Sequence, residues 1–145
     1  MSRTRPRVAV LFNAPVLPRE HPDSASESGV VAVAREVATI LRSSGFKAWP
    51  MAARPPLQRL VKGLQTRKPD VVFQLAEGFG GTSGGEAHLS SVLELLGLPY
   101  TGCPPEAQGL LRVKSRSKWL MRGAGLPTAP FRLLANPQGF SLEGV

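Results

Sequence analysis

The stretch from Asp70 to Gly102, DVVFQLAEGFGGTSGGEAHLSSVLELLGLPYTG, constrains this chain most, because it runs from strand to glycine loop to helix to strand without a break. Val71, Val72, Phe73, Leu75 and Ala76 form a nearly continuous apolar run, the pattern of a strand covered on both faces of a parallel sheet, and this predicts a central position in that sheet. Gly78, Gly80, Gly81, Gly84 and Gly85 follow, five glycines in eight residues. Leu89, Val92, Leu93 and Leu96 then recur at helical spacing, and Gly97 with Pro99 supplies the stop. Leu98 to Thr101 opens a further strand. In open α/β sheets ligands sit outside the carboxyl ends of the strands, where a glycine loop exposes N–H groups and a helix N-terminus adds positive charge. A carboxylate or other anion is therefore expected against Gly78, Gly80 and Gly81.

The remainder repeats the alternation. Val8 to Phe12 reads as a buried first strand, and Asn13 to Ser26, with three prolines, as a long loop at its carboxyl end, where function tends to reside. Val30, Val33, Ala34, Val37, Ile40 and Leu41 hold one helical stripe that Gly45 ends. Lys47 to Ala52 is a second strand, and Leu57, Leu60, Val61 and Leu64 mark a second helix within Pro55 to Gln65. Past Gly102, Pro105 to Gly123 reads as a helix broken near Val113, Phe131 to Leu134 as another apolar strand, and Ala135 to Val145 as a loop and the start of a helix. Strands alternating with helices predict βαβ units: a Rossmann-like parallel sheet with flanking helices, in three α/β/α layers.

Composition excludes several classes. Cys103 is the single cysteine, so no disulfide closes within the chain and no cysteine cluster holds a metal; a reducing cytoplasm fits. No window has the length of a membrane span, and the Val8–Phe12 run is too short for a signal peptide. The net charge of +8 raises nucleic acid or another polyanion as a partner. Apart from Arg112, Lys114, Arg116, Lys118 and Arg122 the basic residues are scattered, and no recognition-module signature accompanies them, which disfavours nucleic acid. A dinucleotide fingerprint would need glycine at Ser83, and a Walker A loop would need lysine where Gly84-Gly85-Glu86 stands. His88 has no second ligand at helical spacing, so no metal site is expected.

Three side chains invite chemistry. Glu77, at the end of the strand before the glycines, either orients a substrate amine or a neighbouring group, or is a solvated loop residue. Glu27 closes Ser24-Ala25-Ser26-Glu27, which matches a capping box whose acid bonds back to the Ser24 N–H. Lys114 falls between Leu110 and Met121 on the apolar arc of its helix; it either snorkels to water or reaches into a cleft.

Leu75-Ala76-Glu77-Gly78-Phe79-Gly80-Gly81, the run from Leu93 to Gly102, Lys114 to Lys118, and Gly125-Leu126-Pro127-Thr128-Ala129-Pro130-Phe131 together resemble the D-alanine:D-alanine ligases of the ATP-grasp superfamily. The resemblance spans Val8 to Leu134, in pattern alone over the first fifty residues. It implies a Rossmann-like substrate domain over 1–104, and over 105–145 a linking helix and the beginning of an ATP-grasp domain. It also implies ATP and magnesium, a phosphorylated D-alanine carboxylate attacked by the amine of a second D-alanine, and a product for peptidoglycan synthesis. By the same resemblance Glu27 lies near the acid that holds the first substrate's ammonium, and Lys114 falls on a lysine that reaches ATP. Glu77-Gly78 stands where many members carry histidine-glycine, and Val113 where an aspartate is usual. The sequence in hand stops before the second ATP lysine, the phosphate loop and the magnesium ligands, so by itself it is expected not to ligate; a completing polypeptide or a homodimer would be its partner. Two rivals remain: a stand-alone domain that binds a small amino acid without catalysis, and a basic nucleic-acid-binding protein, separable by its salt dependence.

Overall fold

A computed structural model describes residues 5–134 and 136. The chain divides into two compact units, Met1–Gly109 and Leu110–Val145. The first contains β1 (Arg7–Asn13), α1 (Ser24–Ser43), β2 (Lys47–Ala53), α2 (Leu57–Arg67), β3 (Val71–Gln74) and α3 (Gly85–Leu95). The short α4 (Pro105–Leu111) crosses the division, and α5 (Lys114–Gly123) lies in the second unit.

The sheet is parallel in the order β2-β1-β3, with Val8 opposite both Ala48 and Val71. Strict alternation along β1 divides the core into two layers. Ala9 and Leu11 face α2 and α3, packing with Leu60, Leu64, Val72, Leu89 and Leu93. Val8, Val10 and Phe12 face α1 and pack with Ala34 and Ala38. This is the three-layer arrangement that the sequence predicts.

β1, not β3, is the central strand. The run from Leu98 to Thr101 contributes only a single bridge, Tyr100 to Val72, through Val72 N–H to the Pro99 carbonyl (2.8 Å) and Thr101 N–H to the Val72 carbonyl (3.0 Å). Pro99 has no N–H to extend the ladder, and Gly102 turns the chain away at φ +112°.

The helices differ from their predicted stripes in informative ways. α1 begins at Ser24, so the preceding loop is shorter than its composition suggests. Its buried line is Ala34 and Ala38, flanked by Val30, Val37 and Leu41, whereas Val33 and Ile40 are about half exposed at 47% and 55%. Two alanines let the helix axis come close to the sheet, and the covered arc narrows accordingly. α1 ends with Phe46 N–H donating to the Leu41 carbonyl and Gly45 N–H to the Arg42 carbonyl, Gly45 taking φ +90°. That paired termination needs a residue free to enter the left-handed region, and glycine does so at least cost.

In the second unit the break at Arg112–Val113 separates α4 from α5 as the sequence predicts. Phe131 to Leu134 forms no strand. Among the described residues no strand in its own unit offers a ladder partner; instead the Phe131 ring lies 6.2 Å from that of Trp119, with the Lys118 ammonium 5.3 Å from its centroid. The loop and helix start expected over Ala135 to Val145 lie, Asn136 apart, outside the described residues. Among the described residues no helix is long and apolar enough to cross a membrane.

Candidate functional site

At the carboxyl edge of the sheet, β1 ends in Asn13 and β3 leads into Glu77. The Asn13 Oδ1 accepts the Glu77 N–H at 3.2 Å, which ties the two strand ends together. Beyond them the glycine loop folds into a tight hairpin. Phe79 N–H donates to the Thr82 carbonyl (3.0 Å) and Thr82 N–H to the Phe79 carbonyl (3.2 Å), while Gly80 and Gly81 take φ +60° and +83°. Two successive positive φ values define the type I′ turn, for which Gly-Gly is a preferred pair.

Gly78 and Gly85 are explained by closeness, whereas Gly84 has open space around it. A Cβ at Gly85 would lie 2.4 Å from the Phe79 nitrogen, and one at Gly78 would lie 2.6 Å from the Thr82 carbonyl oxygen. The density of glycine therefore packs a hairpin against the start of α3. The N–H groups of Phe79, Thr82, Gly85 and Glu86 all donate to carbonyls of the loop itself, so these four are engaged in holding the hairpin.

Opposite this hairpin stands the loop after β1, held by Glu27. The Glu27 Oε2 accepts Val16 N–H at 3.0 Å and Leu17 N–H at 2.8 Å. The capping box is not formed: Ser24 N–H donates to the His21 carbonyl, and the residue before α1, Asp23, makes no side-chain cap bond. Reaching two donors on a neighbouring segment satisfies that segment's backbone, which a local cap would leave unpaired.

Between the two loops lies a cleft of about 360 Å³. Glu27, Glu77, Gly78 and Gly81 line it; Gly80 does not, and its Cα approaches Pro55, with an added Cβ meeting the Pro55 Cγ at 3.0 Å. Asn13, Asp23, Ser26, Thr82 and Ser83 also line it and were not singled out from the sequence. Their only sequence signal is position, immediately after a buried strand or at a helix start. Among the lining residues the charged side chains are Asp23, Glu27 and Glu77, and none is basic, in a chain of net charge +8. Such a wall favours a cationic group and disfavours a phosphate or free carboxylate in the same place.

Lys114 belongs to the second unit, where it is the exposed first residue of α5. The apolar arc that singled it out is not a buried face, since Leu110 and Met121 are 41% and 36% exposed. Among the described residues no group of three or more His, Cys, Asp or Glu could hold a metal ion.

No family model matches the chain. Among curated proteins it is 37% identical over 103 residues to the D-alanine–D-alanine ligase of Actinobacillus succinogenes, a match covering 71% of this chain and 32% of that one. With the ligase of Ruegeria pomeroyi it shares 36% identity over 132 residues, 91% of this chain and 39% of the relative. Among solved structures, the D-alanine–D-alanine ligase of Bacillus anthracis complexed with ATP superposes with a TM-score of 0.63 at 19% identity, over 84% of this chain and 36% of that one. The chain thus spans about a third of the length of the ligases it matches. Sequence and fold relate it to the D-alanine–D-alanine ligases over that third.

Proposed function

We propose that this relative of the D-alanine–D-alanine ligases supplies the amino-acid-binding portion of a ligase of that type, and that the acidic cleft holds the ammonium group of a small amino acid, D-alanine in the first instance. The observation that carries the reading is the pairing of Glu27 and Glu77 across a cleft whose charged lining is wholly carboxylate. Glu27 is oriented by the two N–H groups it accepts, so its second oxygen can face the cleft without a large entropic cost on binding. Glu77 is fixed at its backbone by Asn13, and its exposed side chain completes the pair. Together they bind and orient the amine and exclude an anionic ligand from that end.

In this reading the first unit corresponds to the substrate domain expected over 1–104, and the residues from Pro105 onward to the beginning of an ATP-grasp region. ATP enters through the family, one of whose solved members is complexed with it. The acidic lining of the cleft does not suit a triphosphate, and Lys114 is one of several exposed cations in the other unit. The described residues also offer no magnesium cluster. No step of phosphoryl transfer is therefore assigned to them; activation of a carboxylate as an acyl phosphate and attack by a second amine would belong to the whole enzyme, in peptidoglycan precursor synthesis.

A second reading, a binding domain without catalysis, is favoured by the closed core and complete cleft of the first unit. Both readings are tested by calorimetric titration with D-alanine and N-acetyl-D-alanine. D-alanine is expected to bind, the acetylated form not to, and Glu27→Ala or Glu77→Gln to weaken D-alanine by about tenfold, the loss of one charge-assisted contact. Equal binding of the acetylated compound would sink the ammonium assignment. ATP-dependent formation of D-alanyl-D-alanine then separates the ligase reading from the binding one.

A further inference from the structure

The opposite edge of the same sheet has the opposite chemistry. Alternation along parallel strands places Arg7, Lys47 and Trp49 on the face that α2 covers, with Arg7 and Lys47 in register on neighbouring strands. α2 runs back from the carboxyl edge and ends here in Arg67. The Arg7 and Arg67 guanidiniums lie 6.0 Å and 5.7 Å from the centroid of the same Trp49 ring, and Arg7 Nη2 donates to the Arg67 carbonyl. A groove of about 260 Å³ is lined by Arg7, Lys47, Trp49 and Arg67. A second, of about 500 Å³, is lined by Arg5, Arg7, Phe46 and Lys47 and so shares two of the same cations.

Among the described residues no acid lines either groove. Asp70, the carboxylate recorded against this segment, accepts the Arg7 backbone N–H, and among the described residues none of these four cations forms an ion pair. Four like charges are thus gathered on one edge where the neighbouring carboxylate, Asp70, is bonded to backbone and not to any of the four cationic groups. Their mutual repulsion is relieved only by an anion long enough to meet several of them. The aromatic rings are not offered for stacking: Trp49 packs against one core layer and Phe46 against the other.

We propose that this amino-terminal edge is a binding site for a chain of phosphate groups, recognised through charge and not through a base. Either a free oligophosphate or the backbone of a single-stranded nucleic acid supplies that chemistry. The site is separate from the cleft, at the other end of β1, and does not depend on the function proposed for it.

Trp49 reports on the site directly once Trp119, the other tryptophan, is replaced in a Trp119→Phe background. Titration of the full chain with inorganic tripolyphosphate and with a short oligothymidylate is expected to give a saturable change in Trp49 emission. The slope of log affinity against log salt should be about −3 for the oligothymidylate, from four cations at roughly 0.7 each. Lys47→Glu with Arg67→Glu, both exposed positions, should weaken binding by more than about tenfold and flatten the slope by about 1.4, two cations at roughly 0.7 each. Lys47→Gln with Arg67→Gln, milder for folding, should show the same direction. The equal change of charge at Arg116→Glu with Arg122→Glu in α5 should leave affinity within about twofold. Saturable tripolyphosphate binding with these variant effects supports the site, and the tighter of the two probes identifies the source of phosphate. The proposal is overturned if neither probe binds at low salt, if tripolyphosphate fails to displace the oligothymidylate, or if Arg116→Glu with Arg122→Glu loses as much affinity as Lys47→Glu with Arg67→Glu.

Discussion

The two compact units treat their apolar side chains in opposite ways. In the first, Leu11, Leu64, Leu89 and Leu93 are at most 2% exposed, because each has a sheet on one side and helices on the other. In the second, Trp119, Leu120, Leu126 and Leu133 are 51%, 52%, 55% and 62% exposed, and α5 buries no residue at all. A sheet between helices closes its own core; a pair of short helices presents a stripe and, among the described residues of its own unit, has no sheet to lay it against. The second unit is held by local contacts instead, such as Lys118 Nζ to the Ala129 carbonyl at 3.0 Å and the Trp119–Phe131 ring contact. Trp49 and Trp119, one in each unit, allow the two to be followed separately.

The sharpest test is a matched pair of truncations. Leu93→Ala should destabilise the first unit by about 3–5 kcal/mol, the range for a leucine removed from a rigid core. Leu120→Ala should change the second by under about 0.5 kcal/mol. Urea unfolding followed by Trp49 and by Trp119 emission checks both, and similar losses at the two sites would break the contrast. A smaller effect separates the glycines. Gly85→Ala brings a Cβ against the Phe79 backbone and should cost about 1–3 kcal/mol. Gly123→Ala, with open space around it, should gain up to about 1 kcal/mol from reduced chain entropy. Thermal unfolding reads both, and a neutral Gly85→Ala would show that the hairpin can move away from α3.

Polar burial gives the third test. Both amide atoms of Gln74 are buried without a partner, a burden that the second unit's Lys118, bonded to Ala129, does not carry. Gln74→Leu should therefore stabilise the first unit by about 1 kcal/mol, and Lys118→Met should not stabilise the second. A loss at Gln74→Leu in urea unfolding would mean that the amide is satisfied in solution.

What could be read from the sequence follows the range of the interactions. The elements of the first unit were legible because the continuous apolar run Val8–Phe12 and the helical spacing in Leu89–Leu93 are local patterns that burial then enforces. Their neighbours were not: that β1 and not β3 lies at the centre, or that Pro99 cuts the last strand to one bridge, depends on pairings across the chain. The glycine loop was visible as an anomaly, yet its reason was not, since turn formation and anion binding ask for the same residue. Glu27 shows the same ambiguity. Ser24 to Glu27 fits a capping box, but the acid reaches Val16 and Leu17, and no local pattern distinguishes a donor three residues back from one on a loop folded alongside. Asp23, Ser26 and Ser83 line the cleft without any pattern of their own.

The smallest expected effect concerns Tyr100, the single tyrosine, whose hydroxyl donates to Glu94 Oε1 at 2.8 Å in the first unit. Burial, then the bond to Glu94 and the nearby negative charge, pushes its pKa up to about 12 from the ordinary 10.0. The folded state thus keeps the phenol proton longer than the unfolded chain does. The stability this contributes is fully present below pH 10 and is lost as the pH rises toward 12. Glu94→Gln removes the charge but not the burial, so the phenolate absorbance should titrate at a lower pH, between those two values. Because Tyr100 lies only in the first unit, its ionisation should be accompanied by a change in Trp49 emission and none in Trp119. A simultaneous change in both tryptophans would join the two units into one cooperative structure and remove the distinction between them.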